Sequence, residues 1–247
     1  MSEFNELTKY LSRSEAKAKA PYRRPRDAAT LILLDRAERQ PRVLFGKRHD
    51  GHAFMPGMFV FPGGRYDAID GRMKAAGTLD PLSARRLLQG SPKTSTMRAR
   101  GLALAAIRET CEETGLLLGR RDDRPLVVPS PAWEPFRAAQ VHPDIGALIY
   151  IARAITPPGR PRRFDTRFFA ADRTAVAAEL PGIAGPDSEF VELKWLTIED
   201  ARKEKLPAIT KVILEELENR LKAGFPKDYS VPFFYSKNGK FQRDEIV

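Results

Sequence analysis

The chain has 247 residues, 42% hydrophobic and 30% charged, and its 42 Lys and Arg against 32 Asp and Glu give a net charge of +10. This composition excludes a disordered chain and predicts a globular protein that buries its core without staples. A single cysteine, Cys111, and three histidines exclude an internal disulfide and leave too few ligands for a structural zinc, which suits a reducing cytoplasm. No run approaches the roughly 18 apolar residues of a membrane span, and residues 1–20 lack the apolar stretch of a secretory leader. The positive excess predicts an anionic partner, whether phosphate, nucleic acid or anionic lipid.

Residues 1–20 read as a polar, Lys-rich helix or arm, closed by the prolines of PYRRPR. AATLILLD (28–35) and RVLFGKR (42–48) read as strands. GMFVFPGGR (57–65) reads as a third that stops at Pro62, where Gly63 and Gly64 permit a turn or a close backbone approach. Residues 71–99 interrupt the pattern with one short helix, DPLSARRLLQ, and a loop, GSPKTST. MRARGLALAAIRETCEETG (97–115) is rich in strong helix formers and ends on Gly115, a helix C-cap. A Pro-rich connector to about 143 leads to the strand IGALIYIARA, the basic loop TPPGRPRR and the strand FDTRFFAAD. EFVELKWLTIEDARKE reads as a strand turning into a helix, AITKVILEELENRLKAG as a long amphipathic helix, and VPFFYSKNGKFQRD as a hairpin about Asn238-Gly239. Of Phe168 and Phe169 one is expected inside the sheet and one outside, and Trp195 and Leu196 are expected in the core. The order is mixed α/β, of the α+β type, with no internal repeat.

Within AAIRETCEETG (105–115), Glu109, Glu112 and Glu113 lie i, i+3, i+4 on a helix and so share one arc of about 100°. Like charges at this spacing repel, and the nearby helix C-terminus disfavours anions. Arg108, at i, i+4 to Glu112, holds one carboxylate and leaves the others unbalanced; a hard divalent cation with oxygen ligands would complete the set. A solvated charged face gives the same spacing, so the wider pattern has to decide.

RETCEETGL (108–116) matches the Nudix signature segment R-E-U-x-E-E-x-G-U, with Thr110 where an aliphatic residue is usual and Leu116 as the last hydrophobic. FPGGR upstream resembles the strand-to-loop entry that precedes this helix in Nudix hydrolases, and the chain resembles that family over about residues 28–200. The full signature also has a Gly and a Glu before the Arg, and Thr94 and Arg100 stand at the regular spacing. With Gly64 as the signature glycine, Asp70 follows after five intervening residues in the place of that Glu, and 71–99 becomes a loop-helix insertion inside the signature. Such an insertion, with FMPGMFVFPGG and RRFDTRFF, resembles the coenzyme A diphosphatase branch. That branch tends to carry L-L-T-x-R and a second Arg before F-P-G-G; LFGKR supplies Arg48 and Gly57 the glycine, while Ala53 stands at the second arginine.

The resemblance implies the Nudix fold, a mixed β-sheet sandwiched between helices, over residues 27–225, flanked by an N-terminal arm (1–26) and a C-terminal extension (226–247). It implies Mg²⁺, or Mn²⁺ on the same oxygen ligands, held by Glu109, Glu112 and Glu113. It makes Glu109, Glu112 and Arg108 the catalytic set, with Arg108 orienting a glutamate. The general base is one of the signature glutamates or an acid on a later loop, where Glu189 and Asp187 are the candidates. Lys47, Arg48, Arg65, Gly63 and Gly64 are expected near substrate phosphates, and Arg167 is a further candidate, although lone basic residues also suit a solvated surface. His49 and His52 read as loop histidines. The expected reaction is hydrolysis of a nucleoside diphosphate-linked molecule, coenzyme A or acyl-coenzyme A giving 3′,5′-ADP and (acyl-)phosphopantetheine. ADP-ribose, dinucleotides and 5′-phosphorylated RNA compete as substrates. A catalytically silent nucleotide- or RNA-binding module competes as a function, and the three retained glutamates argue against it. A cytoplasmic protein is expected, and a homodimer stays open.

Overall fold

A computed structural model describes residues 5–6, 21–51, 55–89 and 94–247. Most of the expected N-terminal arm, with His52 and Ala53, lies outside the described residues. Along the chain come β1 (Arg26–Asp35), β2 (Arg42–Arg48), β3 (Phe59–Val60) and β4 (Gly63–Arg65), then α1 (Pro81–Gln89) and α2 (Thr96–Thr114). Next are β5 (Leu116–Arg121), α3 (Glu134–Ala138), β6 (Val141–Pro143), β7 (Ile149–Ile155), β8 (Phe164–Asp172), β9 (Val176–Glu179) and β10 (Phe190–Thr197). α4 (Ile198–Lys203), α5 (Ala208–Lys222), β11 (Val231–Lys237) and β12 (Lys240–Ile246) complete the chain.

The apolar run of β1 explains its central place. Ala29, Leu31 and Leu33 point into the core beneath α2, while Ile32 and Leu34 point into the opposite core beneath α5. A strand covered on both faces has no reason to alternate polar with apolar residues. The large sheet runs β10-β2-β1-β8-β7-β11-β12, with β3 on β2 and β4 on β1, and β6-β5-β9 form a small second sheet. β1 with β8 and β7 with β11 pair in parallel among otherwise antiparallel neighbours, so the sheet is mixed.

Several expectations need correction. Pro62 does not merely end a third strand; it divides the segment into β3 and β4, which pair with different partners. The connector before 143 contains β5, α3 and β6, and β9 follows β8, elements too short to announce a period. Phe168 and Phe169 are both buried, one in each core, because helices cover both faces of the sheet. Trp195 and Leu196 are half-buried and pack against the two cores from their margin, with Arg173 over the Trp195 ring at 4.9 Å, since β10 is an edge strand.

The expected insertion is well anchored. Arg86 of α1 donates to the carbonyls of Asp228 (3.0 Å) and Tyr229 (2.8 Å), and Ser83 Oγ accepts from Tyr150 N at 3.1 Å. The final hairpin turns at Asn238-Gly239 and joins the main sheet through β7.

α2 ends as its sequence predicts: Gly115 has φ 77° and its N–H closes on the Cys111 carbonyl at 2.8 Å. A Cβ there would also run into the Leu180 carbonyl. Gly115→Ala should therefore destabilise the fold by about 1–3 kcal/mol, read as a lower urea midpoint. An unchanged midpoint would show that the turn after α2 relaxes freely.

Candidate active site

The register of β4 on β1 aligns Gly63 with Thr30, Gly64 with Ala29 and Arg65 with Ala28, which lays the two glycines against the last turns of α2. Gly63 N–H donates to Glu113 Oε2 at 2.8 Å. At Gly64 a Cβ would overlap the Glu109 carboxylate, so only glycine allows the strand this close to the helix. The carbonyl of Arg65 accepts from Arg108 Nη2 at 2.9 Å.

Arg108 is the hub. Its Nε and Nη2 fork onto Asp70 at 2.8 and 3.1 Å, and its Nη1 lies 2.8 Å from Glu112 Oε2 and 2.9 Å from Glu109 Oε1. Asp70 is fully buried and also accepts from Asp67 N at 3.0 Å. Arg100, at the regular signature spacing, does something else: it donates to the carbonyls of Gly71 and Met73 and ties down the start of the insertion. Asp70 thus meets Arg108 across 38 positions of sequence.

Three carboxylates, those of Asp70, Glu109 and Glu112, surround this one guanidinium, and Glu113 sits behind them with a backbone amide as its partner. Burial pushes the Glu109 carboxyl up to about 7, an effect that the attraction of Arg108 only partly offsets. Burial also raises Glu112, and it raises Glu113 well above the usual carboxylate range, with the charge of Glu189 adding to the effect. Burial works against the charge of Arg108, but Asp70, Glu109 and Glu112 outweigh it and hold the guanidinium more firmly protonated than usual. The pocket carries more negative charge than its own cations balance.

The other expected site residues fall on both sides of this cluster. Arg48 pairs with Glu189 at 2.8 Å, and the charge of Glu189 reaches both Glu112 and Glu113. Lys47 is half-buried on β2 with its ammonium 6.0 Å from the Phe59 ring. Arg65 is exposed, and so is Asp187. His49 accepts from Gly51 N at 2.9 Å and stays a loop histidine. Arg167 departs from its expected role: it is 2% exposed, and its Nη1 is bonded to Asp27 at 2.6 Å and ion-paired with Asp165 at 3.2 Å, inside the protein rather than on a substrate surface. The reading of the sequence missed this buried network, which Arg153 completes by pairing with Asp165 at 2.6 Å. Its sequence signal is an acid at the second position of each of two strands, Asp27 in β1 and Asp165 in β8, with Arg167 two residues after the latter.

Among the described residues, no three His, Cys, Asp or Glu side chains form a ready-made metal cage. Glu109 and Glu112 lean on Arg108 and Glu113 on Gly63. The donor set nonetheless fits a hard divalent cation: every side-chain donor is a carboxylate oxygen, and the carboxylates outnumber their counter-charges. Mg²⁺ keeps waters and shares its shell with substrate phosphates, so it needs few protein ligands.

No family model matches the chain. Among solved structures it resembles a NUDIX hydrolase from Alicyclobacillus acidocaldarius, with 28% identity over 78% of this chain and 90% of the other and a TM-score of 0.58. A MutT NUDIX hydrolase from Burkholderia pseudomallei (17% identity, 79% and 99% coverage, TM-score 0.45) also matches. So does the NUDIX domain of Shewanella oneidensis NrtR, complexed with ADP ribose (13% identity, 85% and 97% coverage, TM-score 0.45). The first of these, with the mixed sheet and helices above, gives the class: the fold is that of the Nudix hydrolases. The likeness supports the Nudix superfamily and a hydrolase acting on phosphoric anhydrides. No helix among the described residues is long and apolar enough to cross a membrane.

The raised Glu109 fixes the sign of a pH effect. A carboxyl that binds its proton more tightly when folded stabilises the fold below its ordinary range, and that contribution is lost as pH rises through about 7. In metal-free protein, wild type should lose ground to Glu109→Gln by on the order of 2–3 kcal/mol between pH 5 and pH 8. Parallel melting curves at both pH values would contradict the buried-charge account.

Proposed function

We propose that the protein is a divalent-metal-dependent diphosphatase acting on a nucleoside diphosphate-linked small molecule, with coenzyme A or acyl-coenzyme A as the leading substrate. The observation that carries this is the convergence of Glu109, Glu112 and Asp70 on one guanidinium, against a glycine strand that admits Glu109 and holds Glu113. Glu109, Glu112 and Glu113 are assigned as the ligands of Mg²⁺ or Mn²⁺. When bound, the ion supplies charge neutralisation to the diphosphate oxygens, the main demand of phosphoryl transfer.

The chain's own residues have separate tasks. Asp70 fixes the Arg108 guanidinium, and Arg108 in turn orients Glu109 and Glu112. Glu189, held by Arg48, is assigned as the general base that takes a proton from water. The water oxygen bonds to one phosphorus, and the bridging P–O bond breaks to leave the second phosphate. Lys47, Arg48 and Arg65, with the backbone of Gly63 and Gly64, are assigned to the substrate phosphates. The same reading assigns 27–225 as the catalytic unit, with 1–26 and 226–247 as flanking segments, acting in the cytoplasm.

Support for coenzyme A comes from the insertion after Asp70 and from the net charge of +10, which favours a polyanionic substrate. A Mg²⁺-dependent hydrolysis panel followed by mass spectrometry tests it, with coenzyme A, acyl-coenzyme A, ADP-ribose, NADH, a diadenosine polyphosphate and 5′-triphosphorylated RNA. Wild type should release 3′,5′-ADP from coenzyme A. Glu112→Gln should lose about 100- to 1,000-fold in turnover while keeping its melting temperature, since an exposed like-charge clash is relieved. Cleavage of another panel member alone would move the substrate. Equal losses of activity and melting temperature would remove Glu112 from the chemistry.

A further inference from the structure

Beside the carboxylate cluster lies a cavity of about 670 Å³ at the start of β1 and the edge of β4, lined by Arg24, Arg26, Arg65, Arg98, Tyr22 and Tyr66. Its volume lies within the range that takes small-molecule ligands. Two acids, Asp27 and Asp165, also line it, but both are already committed. Asp27 pairs with Arg98 and Arg167, and Asp165 with Arg153 and Arg167. Arg24, Arg26 and Arg65 are exposed and have no carboxylate partner among the described residues. The lining therefore offers three uncompensated guanidiniums and two phenol rings.

The walls are held in place. Arg163 donates to the Arg23 carbonyl at 2.7 Å and stacks on the Tyr22 ring at 5.2 Å, and Arg26 N donates to the Arg163 carbonyl at 3.0 Å. Opposite, Tyr66 N donates to the Asp27 carbonyl at 3.1 Å, and Arg98 lies 5.7 Å from the Tyr66 ring. Arg65 joins this cavity to the carboxylate cluster, because its carbonyl accepts from Arg108 and the residue also lines the cavity. A molecule whose diphosphate lies at the glutamates can extend its nucleotide end along β4 into this space.

We propose that the cavity seats the nucleotide end of the substrate and reads a phosphate group outside the scissile diphosphate, with Arg24 and Arg26 as specificity-determining residues. This rests on the diphosphatase reading above. A neutral nucleoside leaves the three guanidiniums uncompensated. A phosphomonoester supplies the charge and the planar pairs of acceptor oxygens that guanidinium forks match, and the tyrosine rings offer apolar faces to a base.

The test is calorimetric titration of the metal-free, full-length protein with adenosine 3′,5′-bisphosphate, adenosine 2′,5′-bisphosphate, AMP and inorganic phosphate, for wild type and Arg24→Ser/Arg26→Ser. Wild type should bind one bisphosphate at least tenfold tighter than AMP, and the favoured isomer tells which ribose position is read. The double variant should lose that preference with an unchanged melting temperature. Equal affinity for AMP and both bisphosphates, or a preference that survives in the variant, would overturn the proposal. So would inorganic phosphate binding as tightly as a bisphosphate, or an RNA oligonucleotide outcompeting both with steep salt dependence. No turnover is involved, so failure to hydrolyse any substrate leaves this result readable, and a missing preference beside intact hydrolysis removes only the cavity's role.

Discussion

The site depends on one buried fork, Arg108 on Asp70. Asp70 is wholly buried and the Arg108 side chain is 9% exposed, so neither charge has water to fall back on. Removing one partner of such a pair typically costs about 3–5 kcal/mol, because the other is left buried and uncompensated. The fork also fixes geometry. Its remaining donors reach the Arg65 carbonyl and the carboxylates of Glu112 and Glu109, so β4, the residue before the insertion and the last turns of α2 are tied to one planar group.

The segment from Gly71 to the start of α2 is tied to that arrangement. Residues between Asp70 and α2 separate two parts of one site in sequence, yet the structure closes the gap at both ends. Arg100 returns from α2 to the carbonyls of Gly71 and Met73, and Gly101 brings the helix against Gly71 and Tyr66. Farther out, Arg86 of α1 and Arg220 of α5 converge on the Tyr229 carbonyl, which anchors the insertion to the segment before the final hairpin. Asp70 and Arg108 are 38 positions apart in sequence and 2.8 Å apart in space.

Where the sequence was legible, a single physical rule was at work. α2 announced itself by helix formers and a capping glycine, the β11–β12 turn by Asn-Gly, and the i, i+3, i+4 glutamates by helical geometry. Asp70 was legible only once Gly64 was taken as the signature glycine. The failures share a cause as well. Phe168, Phe169 and Arg167 were judged by strand alternation, and alternation means inside and outside only when one face meets water; here α2 and α5 cover both. β5, β6 and β9 are short and form a separate small sheet, so their identity comes from tertiary pairing that no local window contains.

The central claim is that the carboxylate face of α2 is a cation site rather than a self-contained salt-bridge surface. Mn²⁺ titration of the purified protein followed by electron paramagnetic resonance tests it most directly, with Glu112→Gln as the comparison. The account predicts saturable Mn²⁺ binding by wild type, weakened at least tenfold in the variant although both melt at the same temperature. Absence of saturable Mn²⁺ in wild type, or equal binding by both proteins, would contradict it and leave the glutamates to the guanidiniums of Arg108 and Arg48.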